Sequence, residues 1–138
     1  MMTPILIRWV HFMAGVTWIG LVYYFHLVQR PFLKEADTST RNGVLQGLLP
    51  RALFWFRWAA LFTFLAGAAL MGRVGFNTPL LIGASLGSFM FLNSWMVIYP
   101  HQKQIIHLLA ASAAAGTPPP AVLAMHERVV SAASRANF

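Results

Sequence analysis

The stretch Pro79–Tyr99, PLLIGASLGSFMFLNSWMVIY, decides the fold class, because it carries no charged side chain. A bilayer core is crossed by about 20 consecutive apolar residues in an α-helix. Two other stretches, about 5–28 and about 52–71, are similar in length and are interrupted by only a few basic residues and histidines. The sequence therefore predicts three transmembrane helices.

The composition supports a membrane protein. Hydrophobic residues make up 58% of the 138 residues, charged residues 9% and aromatic residues 14%. An average soluble domain is about a quarter charged, and a disordered basic tail has few aromatic residues. Both classes are therefore excluded. The chain has no cysteine, which excludes disulfides, thiolate metal sites, iron–sulfur clusters and covalently attached haem.

The basic residues predict the orientation of a single membrane domain, 1–138. With three spans, the N-terminus and the 72–78 loop share one side, which carries Arg8 and Arg73. The other side receives the 29–51 loop and all residues after Pro100, and it carries most other basic residues: Arg30, Lys34, Arg41, Arg51, Lys103, Arg128 and Arg135. The positive-inside rule then predicts an external N-terminus and a cytoplasmic C-terminus. Nucleic-acid binding is not expected, because the basic residues are scattered and no recognition motif accompanies them.

The segments outside the spans are expected to be partly helical. Pro31 is expected to end the first helix. Residues 34–49 then form a short polar and amphipathic link, in which one of three residues caps a helical turn: Asp37, Thr38 or Ser39. Residues 101–115 and 121–136 read as helices that are separated by a break at 116–120. The expected fold is an all-α integral membrane protein, with three transmembrane helices plus a cytoplasmic helical hairpin.

His11 is the first candidate for chemistry. Steps of four and three residues place His11, Gly15 and Trp18 on one helix face. A histidine beside a glycine in a transmembrane helix is a common way to hold a b-type haem, since imidazole ligates the iron and glycine lets the porphyrin approach. His11 is therefore the candidate metal ligand. In the alternative interpretation, His11 forms a hydrogen bond to a backbone carbonyl or to another helix.

Polar and small residues in the other spans give further candidates. An amide in lipid needs a partner on another helix or on a cofactor, so Asn93 joins His11, Gly15 and Trp18 as a candidate cofactor-binding residue. Gly83 and Gly87 form a G-x-x-x-G pattern, which favours close packing between helices. Arg57 lies near a helix end and is interpreted as a cation that extends to the headgroups.

Residue patterns for catalysis are not evident. There is no paired carboxylate, no phosphate loop and no nucleophile beside a base, and no acid lies within a span. A carboxylate proton relay inside this chain is therefore not expected. A metal cluster of His26, His101 and His107 is the alternative to solvated, interfacial histidines, but His101 and His107 are six residues apart on different helix faces and no carboxylate lies at ligand spacing. His126 has no second ligand four residues on and is interpreted as part of a solvated face.

Four segments resemble a known family. They are RWVHFMAGVTWIG at 8–20, WFRW at 55–58, NSW at 93–95 with YPHQK at 99–103, and ASRAN at 133–137. Together they resemble the membrane domain of bacterial cytochrome-c-fused urate hydroxylases. The first segment is also weakly similar to bacterial membrane protoporphyrinogen oxidases. The resemblance implies a helical domain in the bacterial inner membrane, with a periplasmic N-terminus and a redox setting in which electrons pass from urate to a cytochrome c.

The chain departs from the family at two places. Ala59 and Ala60 stand where the family has an acid, and Phe138 stands where the family enters further helices and then a cytochrome domain. We therefore expect a membrane subunit of a larger electron-transfer complex, of respiratory or photosynthetic type, without turnover of its own. One alternative is a redox protein that binds a b-type haem or a quinone. Another is one part of a membrane urate hydroxylase.

Overall fold

The computed structural model describes residues 2–74 and 77–137, which form three long helices and one shorter helix. The first long helix comprises α1 (Met2–Tyr23), a π-helical turn π1 (Tyr24–Gln29) and α2 (Arg30–Glu35). The second comprises α3 (Thr38–Gly43), π2 (Val44–Leu48) and α4 (Leu49–Val74). The third comprises α5 (Thr78–Asn93), π3 (Ser94–Ile98) and α6 (Tyr99–Ala115), and α7 (Val122–Ala136) follows it. Residues 75 and 76 of the predicted 72–78 loop, and Phe138, lie outside this description.

The all-α class is confirmed, and no strand occurs in the described ranges. Three helices are long and apolar enough to cross a membrane: Pro4–Glu35, Thr38–Arg73 and Thr78–Ala115, with 32, 36 and 38 residues. At about 1.5 Å per residue they measure roughly 48 to 57 Å, whereas a bilayer core is about 30 Å thick. Each long helix therefore continues well beyond its predicted span, at the end of the molecule where α7 lies.

A proline follows each π-helical turn by two residues: Pro31, Pro50 and Pro100. The residue before each proline donates its N–H to the carbonyl five residues back: Arg30 to Phe25, Leu49 to Val44 and Tyr99 to Ser94. Proline has no N–H, and its ring clashes with the carbonyl of the preceding turn in a regular α-helix. The wider π turn relieves this clash. The prediction that Pro31 ends the first helix is therefore wrong, because the helix continues to Glu35.

The predicted link at 34–49 is also mostly helical, since only Ala36 and Asp37 separate α2 from α3. Asp37 is extended, and its carboxylate accepts hydrogen bonds from the N–H of Thr40 at 3.1 Å and from the Thr40 hydroxyl at 2.6 Å. Of the three residues that could have capped the turn, Asp37 is the one that does so.

The second long helix is the central one. In its most apolar window 33% of the residues are buried, against 11% in each of the outer two helices. α4 contacts α1 along its length and also contacts α5, whereas α1 and α5 make few contacts with each other. One aromatic pair joins α4 to α5, with the rings of Phe64 and Phe91 stacked at 4.5 Å. The three long apolar helices therefore lie in a row, with α4 in the middle.

The buried core lies mainly at the π-turn end of the molecule. There α7 runs back along α6 and contacts π3. Most buried apolar side chains belong to this region: Val22, Leu45, Leu49, Leu53, Phe56, Ile98, Ile105, Leu109, Leu123 and Val130. The other ends of α1, α4 and α5 expose large apolar side chains. This distribution is the one expected when lipid covers the exposed part.

We expect Gly116→Ala to weaken the junction between α6 and α7. Gly116 ends α6 with φ 63° and ψ 24°, a conformation that costs an L-residue roughly 1 to 2 kcal/mol. The amides of α7 should therefore exchange faster with deuterium in detergent micelles. Gly47→Ala is the matched control, because Gly47 is helical and has open space around it. Equal exchange in the two variants would contradict the expectation.

The cap of α3 should be lost in acid. The hydrogen bond from the Thr40 hydroxyl, and then that from its N–H, hold the pKa of Asp37 below its ordinary value of 3.8. Because the folded pKa is the lower one, the stabilisation is fully present above 3.8 and is lost as the pH falls through the folded pKa. The chemical shift of the Thr40 amide should report this titration. Asp37→Asn keeps an uncharged cap, so the chemical shift of the Thr40 amide should no longer change with pH in this range.

Candidate functional site

His11 joins α1 to α4. Its Nδ1 lies 2.9 Å from the carbonyl oxygen of Thr63. A carbonyl only accepts hydrogen bonds, so Nδ1 carries the proton and neutral imidazole keeps its lone pair on Nε2. Gly67 makes the approach possible, since an ideal Cβ there would lie 3.0 Å from Cε1 of His11. The geometry matches the alternative in which His11 bonds a carbonyl of another helix.

α4 also covers the rest of the predicted His11 face. An ideal Cβ on Gly15 would lie 3.7 Å from Cγ2 of Thr63. Trp18 is only 3% exposed, and its buried Nε1 donates to no described residue. Gly15 and Trp18 therefore pack against protein on the side where the sequence predicts a porphyrin.

Asn93 finds its partners at the end of α7. Its Nδ2 donates to the carbonyl of Ala133 and to Oδ1 of Asn137, each at 2.8 Å. Asn137 in turn donates from Nδ2 to Oγ of Ser94 at 2.9 Å and to the carbonyl of Met90 at 3.2 Å. The structure thus satisfies Asn93 on another helix. It does not bring Asn93 to the face of α1 that carries the other candidates.

Gly83 and Gly87 pack against no other helix of the described chain. An ideal Cβ on either glycine would meet no atom within 4 Å. Around them α5 exposes large apolar side chains, with Ile82 57% and Leu86 60% exposed. Helix packing at these glycines therefore stays a prediction, and it would involve another chain or segment.

The residues present fit a b-type haem in part. Haem needs an unprotonated imidazole nitrogen and a face that admits the porphyrin. Nε2 of His11 meets the first condition, because the proton of the neutral ring lies on Nδ1, which donates to the Thr63 carbonyl. The Gly15 face does not meet the second. The described ranges also contain no group of three or more histidine, cysteine or acidic residues that could hold a metal ion.

Arg57 lies in an aromatic cage that sequence reasoning missed. Its Cζ is 4.3 Å from the ring centroid of Trp95, 4.6 Å from that of Tyr99 and 5.9 Å from that of Trp58. Nη1 donates to the Tyr99 hydroxyl at 3.0 Å. Cation–π contacts of this kind stabilise a partly desolvated cation. The only sequence signal was the spacing of the aromatic residues, which does not say which helices are neighbours.

A cavity of about 460 Å³ adjoins this cage between α4 and α6. Lys103 and His107 join Arg57 in its lining, and its apolar walls include Phe54 and Ile106. Cations beside apolar walls suit an amphipathic anion.

Two histidines meet that the sequence did not pair. The rings of His101 and His126 lie 5.1 Å apart at 64°. His101 contacts the carbonyl of Val97 through Nδ1 at 3.0 Å, so its proton sits on that nitrogen. The pair joins α6 to α7, and the described residues supply no third ligand for a metal ion.

A larger cavity, about 780 Å³ in volume, opens among the first two long helices, α6 and α7. Five cationic side chains and one carboxylate line it: Arg30, Lys34, Arg41, Arg128, Arg135 and Glu127. Glu127 pairs with Arg41. The cavity therefore carries an excess of positive charge.

Comparisons with known proteins identify no relative. No protein-family model matches this chain, and no curated protein or solved structure does so either.

We expect Gly67→Ala to weaken the contact between α1 and α4. The new Cβ would lie 3.0 Å from Cε1 and 3.3 Å from Nδ1 of His11, so the imidazole must move away from Thr63. Contacts of this kind between membrane helices are worth roughly 1 kcal/mol. Reversible unfolding in mixed micelles should show that loss. Gly72→Ala is the control on the same helix, because nothing lies within 4 Å of Gly72. Similar losses for both variants would refute the contact's role.

Asn93 and Asn137 should be energetically coupled. A double-mutant cycle with Asn93→Ala and Asn137→Ala should give a coupling free energy of roughly 1 kcal/mol, because each amide is the other's partner. Thr17→Ala combined with Asn93→Ala is the control pair. The Thr17 hydroxyl bonds Met13 of its own helix, so that pair should be additive. Additive losses for the two asparagines would show that they act independently.

Proposed function

We propose that this protein is an integral membrane subunit of a larger electron-transfer complex, of respiratory or photosynthetic type, and has no turnover of its own. The observation that carries the proposal is the open G-x-x-x-G face of α5. Gly83 and Gly87 offer a backbone surface that no described residue fills. Such a surface lets a helix of another subunit approach closely.

The residues predicted to bind a cofactor mostly contact other parts of the protein, and this supports a non-catalytic role. Gly15 and Trp18 pack against protein, and Asn93 is satisfied by the end of α7. These residues therefore hold helices together. The electron-transfer setting rests on the resemblance of residues 8–20, 55–58 and 93–103 to urate hydroxylase membrane domains. On the same basis we propose the bacterial inner membrane, with a periplasmic N-terminus and a cytoplasmic C-terminus.

A b-type haem bound by His11 is the second candidate function. The hydrogen bond from Nδ1 to Thr63 favours it, because metal-ligating histidines commonly donate their other ring N–H to a carbonyl. This bond leaves Nε2 as the ligand atom. A role as part of a membrane urate hydroxylase is a third candidate, and it would require the acid that Ala59 and Ala60 replace.

One purification tests the first two candidates. The protein, extracted from its own membrane in mild detergent, should co-purify with partner chains at fixed stoichiometry. Gly83→Leu and Gly87→Leu should each release the partner while the fold is kept, since a Cβ at either position would meet no atom of the described chain within 4 Å. Ser85→Leu is the control, because Ser85 is exposed on the same helix but two residues from each glycine. A wild-type protein that purifies alone would overturn the subunit proposal.

The spectrum of the same preparation separates the haem candidate. Reduced-minus-oxidised bands that disappear in His11→Ala, but persist in His107→Ala, would establish His11 as a haem ligand. His107 is an exposed histidine on α6 and serves as the matched control. A spectrum without haem bands from folded protein would remove the second candidate.

A further inference from the structure

The cavity of about 780 Å³ has two guanidinium groups that meet on one hydroxyl. Arg30 donates to Oγ of Ser131 at 2.6 Å, and Arg135 donates to the same oxygen at 3.2 Å. Neither arginine has a carboxylate partner among the described residues. Two like charges that converge on a neutral group repel each other, and an anion between them would remove this repulsion.

The rest of the rim adds to this positive potential. Lys34 and Arg128 line the cavity, and neither forms an ion pair with a described residue. The single carboxylate in the lining, Glu127, is paired with Arg41. The rim therefore favours a ligand with a negative charge.

The side-chain oxygen of Gln29 needs a hydrogen-bond donor. It lines the cavity and is 7% exposed, and its buried Oε1 accepts no hydrogen bond from a described residue. A buried acceptor without a donor is costly, whereas a ligand hydroxyl would satisfy it. The charged rim and Gln29 together suit an anionic group that also carries a hydroxyl.

The floor of the cavity is apolar. Leu45, Leu49, Ile105 and Leu109 all line it and are at most 5% exposed. These residues lie 3 to 10 residues beyond the predicted spans, on the flank that carries most of the basic residues. A ligand that reaches both the rim and the floor therefore has an apolar part next to its anionic group.

We propose that this cavity binds the headgroup of an anionic phospholipid that carries a hydroxyl, as phosphatidylglycerol does. The phosphate lies between Arg30 and Arg135, a headgroup hydroxyl donates to Oε1 of Gln29, and the upper acyl chain covers the apolar floor. Basic pockets between membrane helices at the cytoplasmic surface bind such headgroups. The proposal does not depend on electron transfer or on a partner subunit.

Binding is tested with the whole chain in detergent, using native mass spectrometry with three probes: phosphatidylglycerol, phosphatidylmethanol and phosphatidylcholine. Phosphatidylglycerol should bind most tightly and phosphatidylcholine least. Arg30→Gln combined with Arg135→Gln should weaken the binding of phosphatidylglycerol at least about tenfold. The loss of even one charge-assisted hydrogen bond to the phosphate is enough to lower the affinity by this factor. Gln29→Met should abolish the preference for phosphatidylglycerol over phosphatidylmethanol, which has no headgroup hydroxyl.

Two controls separate binding from folding and from overall charge. Arg51→Gln combined with Arg73→Gln removes the same charge from positions outside the linings of both cavities, so binding should be unchanged. Ser131→Ala removes the hydroxyl that the two arginines share but keeps both guanidinium groups, so it should retain the lipid. If Ser131→Ala lost as much lipid as the double arginine variant, the proposal would be overturned. That result is expected if the two arginines only hold the fold together through Ser131 and do not bind the lipid.

Three other results would overturn the proposal. One is equal binding of phosphatidylglycerol and phosphatidylcholine. Another is an equal loss of phosphatidylglycerol binding in the control with Arg51→Gln and Arg73→Gln. The third is displacement of the lipid by an equal concentration of glycerol 3-phosphate, which would identify a soluble phosphate ester as the ligand.

Discussion

A proline inside a helix has no N–H to donate, and each long helix of this protein contains one at the same end of the molecule. Pro31, Pro50 and Pro100 are each preceded by a π-helical turn in which the hydrogen bond reaches five residues back. This adjustment lets the helices continue past their prolines. Because they continue, the chain has helical walls beyond the predicted spans, and α7 has a surface on which to pack.

The same end of the molecule holds both the core and the larger cavity. Gln29 comes from π1 and Leu45 from π2, while Ile105 follows π3 and Pro100 on the third helix. The residues that need burial and the residues that form a charged rim are thus brought together by the same three turns. In the other half of the molecule the described helices expose their large side chains, and lipid or other subunits would have to cover them.

α4 determines what the polar groups in the spans can do. It lies between α1 and α5, so the face of α1 that carries His11 meets Thr63 and Gly67. Backbone and amide groups in a membrane need partners inside the protein, and the histidine and Asn93 both find theirs on other helices. Among the predicted cofactor residues, His11 is therefore the one that keeps an atom able to ligate a metal, its Nε2. The face of α5 that carries Gly83 and Gly87 is left open by the described residues, so a helix of another chain could pack there without any rearrangement of this one.

The sequence by itself determined the all-α class and the number of long apolar helices, because each run of about 20 apolar residues, such as 79–99, forms a helix long enough to cross a bilayer core. It also placed the break at 116–120 and included Asp37 among the possible caps, since these signals act within a few residues. The prediction that Pro31 ends the first helix was wrong, because the π-helical turn before the proline rearranges its hydrogen bonds and lets the helix continue. Only the tertiary structure decided that Gly15 packs against Thr63, that Arg57 lies among aromatic rings, and that Arg30 meets Arg135 on Ser131. Helix periodicity says which residues share a face, but the neighbour of that face depends on how distant segments pack.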